Sequence, residues 1–176
     1  MKTSTYLLYD RRRVEFEVPA DWQLLEPSDP EPTGDLEAAI DHALAEPIGT
    51  RGLLELARKA DKSGTAVIVI SDITRAVPNR TFVPAILKTL HQAGWTRDKI
   101  KILIATGMHR PSTDAERVEL LGAEIAQAYQ IIDHRAADPV TLVRLPHKTS
   151  SGTSVSLDAT YYDASFRILT GLIEPH

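Results

Sequence analysis

Residues 101–113 read KILIATGMHRPST. The stretch opens with an apolar run, Ile102–Ala105, and ends in a helix-start signal, Ser112 or Thr113 with Glu116 placed for a capping box. Between them stand Gly107, Met108, His109 and Arg110. An apolar strand, a glycine turn, an imidazole and a guanidinium, and then a helix N-terminus is how open α/β sheets build ligand sites.

Upstream, Thr65–Ile70 (TAVIVI) is a β-branched run without polar alternation, the pattern of a strand buried on both faces of a parallel sheet. Ser71-Asp72-Ile73-Thr74-Arg75 follows it directly. A helix is expected from Arg80 or Thr81, with Pro84 tolerated in its first turn, where N–H groups have no intrahelical partner. Its apolar stripe is Val83, Ile86, Leu87, Leu90 and Ala93, and Gly94 stops it. Downstream, Thr113 starts a helix that breaks or bends at Gly122. Gln130–Ile132 is a short strand ending in Asp133-His134-Arg135. Phe166–Thr170 is another, ending in Gly171-Leu172-Ile173-Glu174-Pro175-His176.

The flanking segments are plainer. Thr5–Tyr9 and Val14–Val18 make a half-exposed hairpin with a period of two, and Trp22–Leu25 is a candidate third strand. Glu26–Gly34 carries three prolines and reads as a loop. Asp35 caps a helix with Leu36, Ala39, Ile40, Ala43 and Leu44 on one face, closed by Pro47. Thr50 is a candidate cap for a second helix. Val140–Arg144 and Thr153–Leu157 flank a Ser/Gly turn, Pro146–Gly152. Ser150-Ser151-Gly152 lacks the strand–loop–helix context of a phosphate loop, so a hairpin is expected. The fold class is therefore α/β: a three-layer Rossmann-like domain with a mostly parallel sheet, an N-terminal β-hairpin and an inserted β-hairpin. Residues 1–34 form the hairpin and connection, and 35–176 the body.

Composition narrows the function classes. The 176 residues are 43% hydrophobic and 25% charged, with a net charge of −4, which argues against a nucleic-acid footprint. The chain has no cysteine, so disulfides, thiolate catalysis and Cys-ligated zinc are excluded. No signal-peptide h-region and no run of about 18 apolar residues occurs. The expectation is a cytoplasmic protein without a membrane partner.

Four candidate parallel strands end in Asp72/Thr74/Arg75, His109/Arg110, Asp133/His134 and Glu174/His176. Strand carboxyl ends of a doubly wound sheet share one edge, so these residues should crowd one crevice. Two histidines there can act as acid and base near neutrality. Arg75 or Arg110 can hold a carboxylate or phosphate. Asp72 can instead cap its loop or pair with Arg75, and His134 can be a loop hydrogen-bonder. A metal-dependent hydrolase using His109, His134 and His176 is a weaker alternative, because no H-x-H or H-x₃-H spacing occurs.

The SDITR loop (Ser71–Arg75), ATGMHRP (Ala105–Pro111), Asp133-His134 and TGLIEPH (Thr170–His176) together resemble the N-terminal domain of nickel-pincer-nucleotide-dependent lactate racemases and related 2-hydroxyacid racemases and epimerases. The resemblance runs from about Pro47 to His176. Ala76 stands where many relatives have proline. The resemblance implies proton-coupled hydride transfer between a small 2-hydroxyacid and the nickel-pincer nucleotide. It implies His109 and His176 as the acid/base pair, Asp72, Thr74 and Arg75 at the cofactor, and Arg75 and Arg110 at the substrate. In the family, the cofactor-tethering lysine and the nickel-ligating histidine follow the segment that matches the end of this chain. A C-terminal domain of the same protein is therefore an expected partner, no metal ligand is expected within these residues, and the chain alone is expected to be inactive. The alternative is a non-catalytic α/β module that binds a nucleotide or phosphate at Asp72–Arg75.

Overall fold

The computed structural model describes residues 3–25 and 33–173. The expected loop at 26–34 lies mostly outside them, as do Glu174 and His176. The chain divides into two units, Met1–Gly34 and Asp35–His176.

The first unit is an antiparallel hairpin of β1 (Thr3–Tyr9) and β2 (Arg12–Val18), with Leu7 opposite Val14 and Thr5 opposite Phe16. Asp10 turns the chain in the left-handed region at φ 54°. The alternating Val14 and Phe16 share a face, yet both stay exposed. The candidate strand Trp22–Leu25 does not form. After Pro19 the chain turns, with the Trp22 N–H on the Pro19 carbonyl at 3.1 Å, and continues without a ladder partner.

The second unit is built on a four-stranded parallel sheet in the order β5-β4-β3-β8. Its strands are β3 (Ala66–Ser71), β4 (Ile100–Ala105), β5 (Gln130–Asp133) and β8 (Phe166–Leu169). The even-numbered residues Ala66, Ile68, Ile70, Ile100, Ile102 and Ile104 point into the main core. Opposing them are Ala57 of α2 (Leu53–Lys59), Val83, Ile86, Leu87 and Leu90 of α3 (Asn79–Gln92), and Leu120 and Leu121 of α4 (Asp114–Leu121). Leu44 of α1 (Leu36–Ala45) and Ile125 of α5 (Ala123–Ala128) pack around them. On the other face, Val67 and Leu103 are covered by a smaller cluster with Ala164 and Tyr161. Both faces are thus withdrawn from water, as the unbroken apolar strand sequences require.

Local signals set most boundaries. Asp35 caps α1 through the Ala38 N–H at 3.0 Å. Thr113 and Glu116 form the reciprocal capping box of α4. The second helix is capped by Gly52 rather than Thr50. A side chain at Gly52 would stand 2.5 Å from the Ala45 carbonyl oxygen, so the close approach of α1 selects glycine. The inserted hairpin is β6 (Leu142–Lys148) with β7 (Ser154–Asp158), longer than the sequence implies because Pro146-His147-Lys148 stay extended. The register slips between Arg144 and Lys148, and such an irregularity is where a strand tolerates proline. A one-turn helix, α6 (Ala159–Tyr162), follows β7. It is too short to leave a periodic signature.

Gly122 separates α4 from α5 at φ 83°, ψ 154°. That region is essentially restricted to glycine. A Cβ there would meet no atom nearer than the Arg80 side chain at 3.8 Å, so the cost of replacement is conformational, not steric. Gly122→Ala should lower unfolding free energy by about 1–3 kcal/mol in urea denaturation. An unchanged midpoint would show that the break does not depend on glycine.

Candidate active site at the strand carboxyl ends

The register of the sheet assembles the site. Ser71 of β3 lies opposite Ala105 of β4, and Ile104 lies opposite Asp133 of β5. Asp72, Thr106 and His134 are therefore the first residues past three adjacent strands. β3 is followed by β4 and β5 on one side, while β8 returns to its other side. This reversal at β3 is the switch point beside which open α/β sheets bind ligands.

Asp72 is buried, and both its oxygens are used. Oδ1 accepts the Thr74 hydroxyl at 2.6 Å and the Thr74 N–H at 3.2 Å. Oδ2 lies 2.5 Å from Nδ1 of His109. Burial works to raise the Asp72 pKa. The Thr74 hydroxyl, His109 and the Thr74 amide outweigh it and hold the carboxyl below its ordinary 3.8. A carboxylate on Nδ1 selects the tautomer with its proton there, which leaves Nε2 as the open, basic nitrogen. Among the described residues Nε2 of His109 has no partner, and the ring is 53% exposed.

The sequence expectation that these strand ends converge holds for Asp72, Thr74, Arg75 and His109. Asp72 pairs with His109, not with Arg75, whose backbone N–H closes the turn onto the Asp72 carbonyl at 3.2 Å. The Arg75 side chain is exposed and has no protein partner among the described residues. It lines a cleft of about 290 Å³ with Asp72, Thr106, Gly107 and His109. Gly107 has φ 58°, and a Cβ built on it would meet nothing within 4 Å, so it would project into open space.

Arg110, expected at the substrate, is paired with a carboxylate of the protein. It donates from both terminal nitrogens to Glu116, at 2.8 and 2.6 Å. Glu116 also accepts the Thr113 N–H at 2.8 Å, so Arg110 fastens the loop to the cap of α4. Asp133 is likewise structural. Its Oδ2 accepts from the Arg117 guanidinium at 2.6 Å and its Oδ1 from the Ser112 N–H at 2.9 Å. Burial, which raises its pKa, is outweighed by these bonds.

His134 sits beside His109, held by a residue the sequence reading did not single out. Its Nδ1 meets Oδ2 of buried Asp158 at 3.1 Å. Its N–H donates to the Ile104 carbonyl at 2.9 Å, and its carbonyl accepts the Thr106 hydroxyl. Thr106 is 2% exposed, and its own carbonyl accepts the His109 N–H at 3.0 Å. It locks both histidines to the end of β4. Thr106 stands inside the ATGMHRP motif, but neither its bond to His134 nor the bond of Asp158 to His134 could be read from the linear sequence, because these partners are 28 and 24 residues away.

The model of the lactate racemase N-terminal domain family matches residues 9–176. The chain belongs to this family. It is 34% identical over 140 residues to lactate racemase from Lactiplantibacillus plantarum, covering 80% of this chain and 32% of that protein. It is 31% identical over the same length to lactate racemase from Thermoanaerobacterium thermosaccharolyticum, with the same coverage. This family member thus spans about a third of the length of those curated relatives. Its structure superposes on lactate racemase apoprotein from T. thermosaccharolyticum with a TM-score of 0.83 at 28% identity, over 99% of this chain and 40% of that one. A Thermotoga maritima protein shares the fold, with a TM-score of 0.57 at 15% identity over 76% of this chain and 32% of that one. As in the resemblance drawn from the motifs, the racemase family accounts for the α/β architecture with its parallel sheet and hairpins. No helix among the described residues is long and apolar enough to cross a membrane.

The loop's fastening is sensitive to acid. The Arg110 guanidinium and the Thr113 N–H hold the Glu116 pKa at about 2, below its ordinary 4.5. A carboxyl depressed in the folded state stabilises it above the unfolded value, and this contribution fades as pH falls through the folded value. Melting temperature should therefore drop as pH falls from 4.5 toward about 2. Glu116→Gln should flatten part of that drop, and a parallel pH profile for the variant would contradict the assignment.

Proposed function

We propose that this chain supplies the base-bearing N-terminal part of a racemase or epimerase acting on a 2-hydroxyacid such as lactate, by proton-coupled hydride transfer to a nickel-pincer nucleotide. The observation that carries the reading is the His109–Asp72 pair beside Arg75, which has no partner among the described residues, in one cleft at the switch point of the sheet.

The residues present are suited to an anionic nucleotide. Arg75 offers a guanidinium unpaired among the described residues, and Gly107 leaves room beside it for a group to approach the backbone. Asp72 and Thr74 are bonded to each other, so their part is to shape the loop that carries Arg75. When bound, the nickel-pincer nucleotide supplies the hydride acceptor and donor at the substrate's C2.

The chain's own residues handle the proton and the charge. Nε2 of His109 would accept the substrate hydroxyl proton. The resulting imidazolium is stabilised through Nδ1 by the Asp72 carboxylate, which stays ionised. Arg75 holds the substrate carboxylate or a cofactor phosphate, either of which suits a planar guanidinium. His176, outside the described residues, is assigned the proton for the opposite face. The remainder of the longer enzyme is the partner that completes the substrate cavity.

In the cofactor-loaded enzyme that carries this chain, His109→Ala should reduce kcat/KM by about 10²–10⁴-fold in both directions. Asp72→Asn should lower kcat with less effect on KM. Near-normal turnover of His109→Ala would remove it from the reaction.

The exposed Arg75 also fits the second reading, a module that binds a nucleotide or phosphate without turning anything over. Calorimetry with a mononucleotide should then show binding that Arg75→Ala abolishes. No binding at millimolar concentration would count against this reading.

A further inference from the structure

His134 repeats the arrangement of His109. Each imidazole has Nδ1 against a buried carboxylate, Asp72 for one and Asp158 for the other. Each leaves Nε2 without a protein partner among the described residues. Both rings line one cavity of about 490 Å³, bounded also by Met108, Pro111 and the 135–138 turn. This cavity adjoins the Arg75 cleft, and Gly107, Met108 and His109 line both. Thr106 ties the backbones of the two histidines to the same strand end. The inserted hairpin has a part in this, since Asp158 is the last residue of β7. Simple loop hydrogen bonding does not require His134 to line a cavity shared with His109.

We propose that His134, held by Asp158, is a proton-relay residue that resets His109 between turnovers. The proposal rests on the two-base reading above and concerns a step which that reading leaves open. A two-base racemisation takes the hydroxyl proton on one base and returns a proton from the other. After one turnover the first base holds one proton too many and the second one too few. The next turnover in the same direction requires both to be restored. On the Arg75 side, the approach to His109 is through the cleft that the reading above gives to substrate and cofactor. On the other side, the cavity that His109 and His134 both line has room for water to carry a proton between them. The proton on Nε2 of His109 passes through that water to Nε2 of His134. The Asp158 carboxylate stabilises the imidazolium while His134 hands the proton to solvent. No other bond is made or broken.

The test uses the full-length, cofactor-loaded enzyme and free imidazole as an external proton carrier. His134→Ala should lower steady-state kcat by about tenfold or more, with KM nearly unchanged, and imidazole should restore it in a saturable manner. The first turnover, read from rapid-mixing spectra of the cofactor, should keep its wild-type rate. His134→Asn separates a relay from a structural role, because its amide can still donate to Asp158 but carries no base. The relay requires this variant to be as slow as His134→Ala and equally rescued. Wild-type kcat in His134→Asn would overturn the proposal, as would a slowed first turnover without imidazole rescue. Full activity of His109→Ala would instead overturn the two-base reading, so the two failures are distinguishable.

Discussion

A buried carboxylate at the end of the first body strand fixes the geometry on which the site depends. Asp72 cannot turn to water, so its charge is met by the Thr74 hydroxyl, the Thr74 amide and His109. Satisfying one oxygen folds the Thr74–Arg75 turn. Satisfying the other draws in a histidine 37 residues away. One polar group thereby sets both the shape of the anion-facing loop and the direction of the imidazole. In a low-dielectric setting such a group is costly unless every lone pair is used. The same requirement makes the arrangement specific.

The neighbouring strand ends follow the same logic with different outcomes. Asp133 is buried at the end of β5 and takes Arg117 of α4 and the Ser112 amide, so its role is to hold the 107–113 loop against the sheet. Glu116 reaches back from α4 to Arg110 and the cap. Asp158 arrives from the inserted hairpin and orients His134. Asp133, Glu116 and, through His109, Asp72 thus brace a loop of seven residues from several directions. A base so braced loses little entropy when it meets its substrate, which is how positioned groups contribute to rate.

The sheet was legible in the sequence because parallel strands buried on both faces cannot be written without unbroken apolar runs, and TAVIVI and ILIA are such runs. The Thr113–Glu116 capping box and Gly122 were legible for similarly local reasons. The Trp22–Leu25 strand was misread because an apolar tetrapeptide carries no information about a partner. The Arg110 pairing escaped notice because the glutamate it meets was already explained as part of a cap. The bonds that Thr106 and Asp158 make to His134 were illegible for a different reason. Their importance lies in contacts across β4, β5 and β7 that only register creates. The convergence of His109, Asp72 and Arg75 could be read because topology, not side-chain detail, brings strand ends together.

The Asp72–His109 pair is the constraint from which the remaining chemistry is derived, and its most direct test is the tautomer of His109. Long-range ¹H–¹⁵N correlation spectra of the histidine side chains, at neutral pH, report which ring nitrogen carries the proton. The account predicts that His109 is protonated on Nδ1, with a deshielded, slowly exchanging proton that disappears in Asp72→Asn. Protonation on Nε2 alone, unaffected by Asp72→Asn, would contradict it.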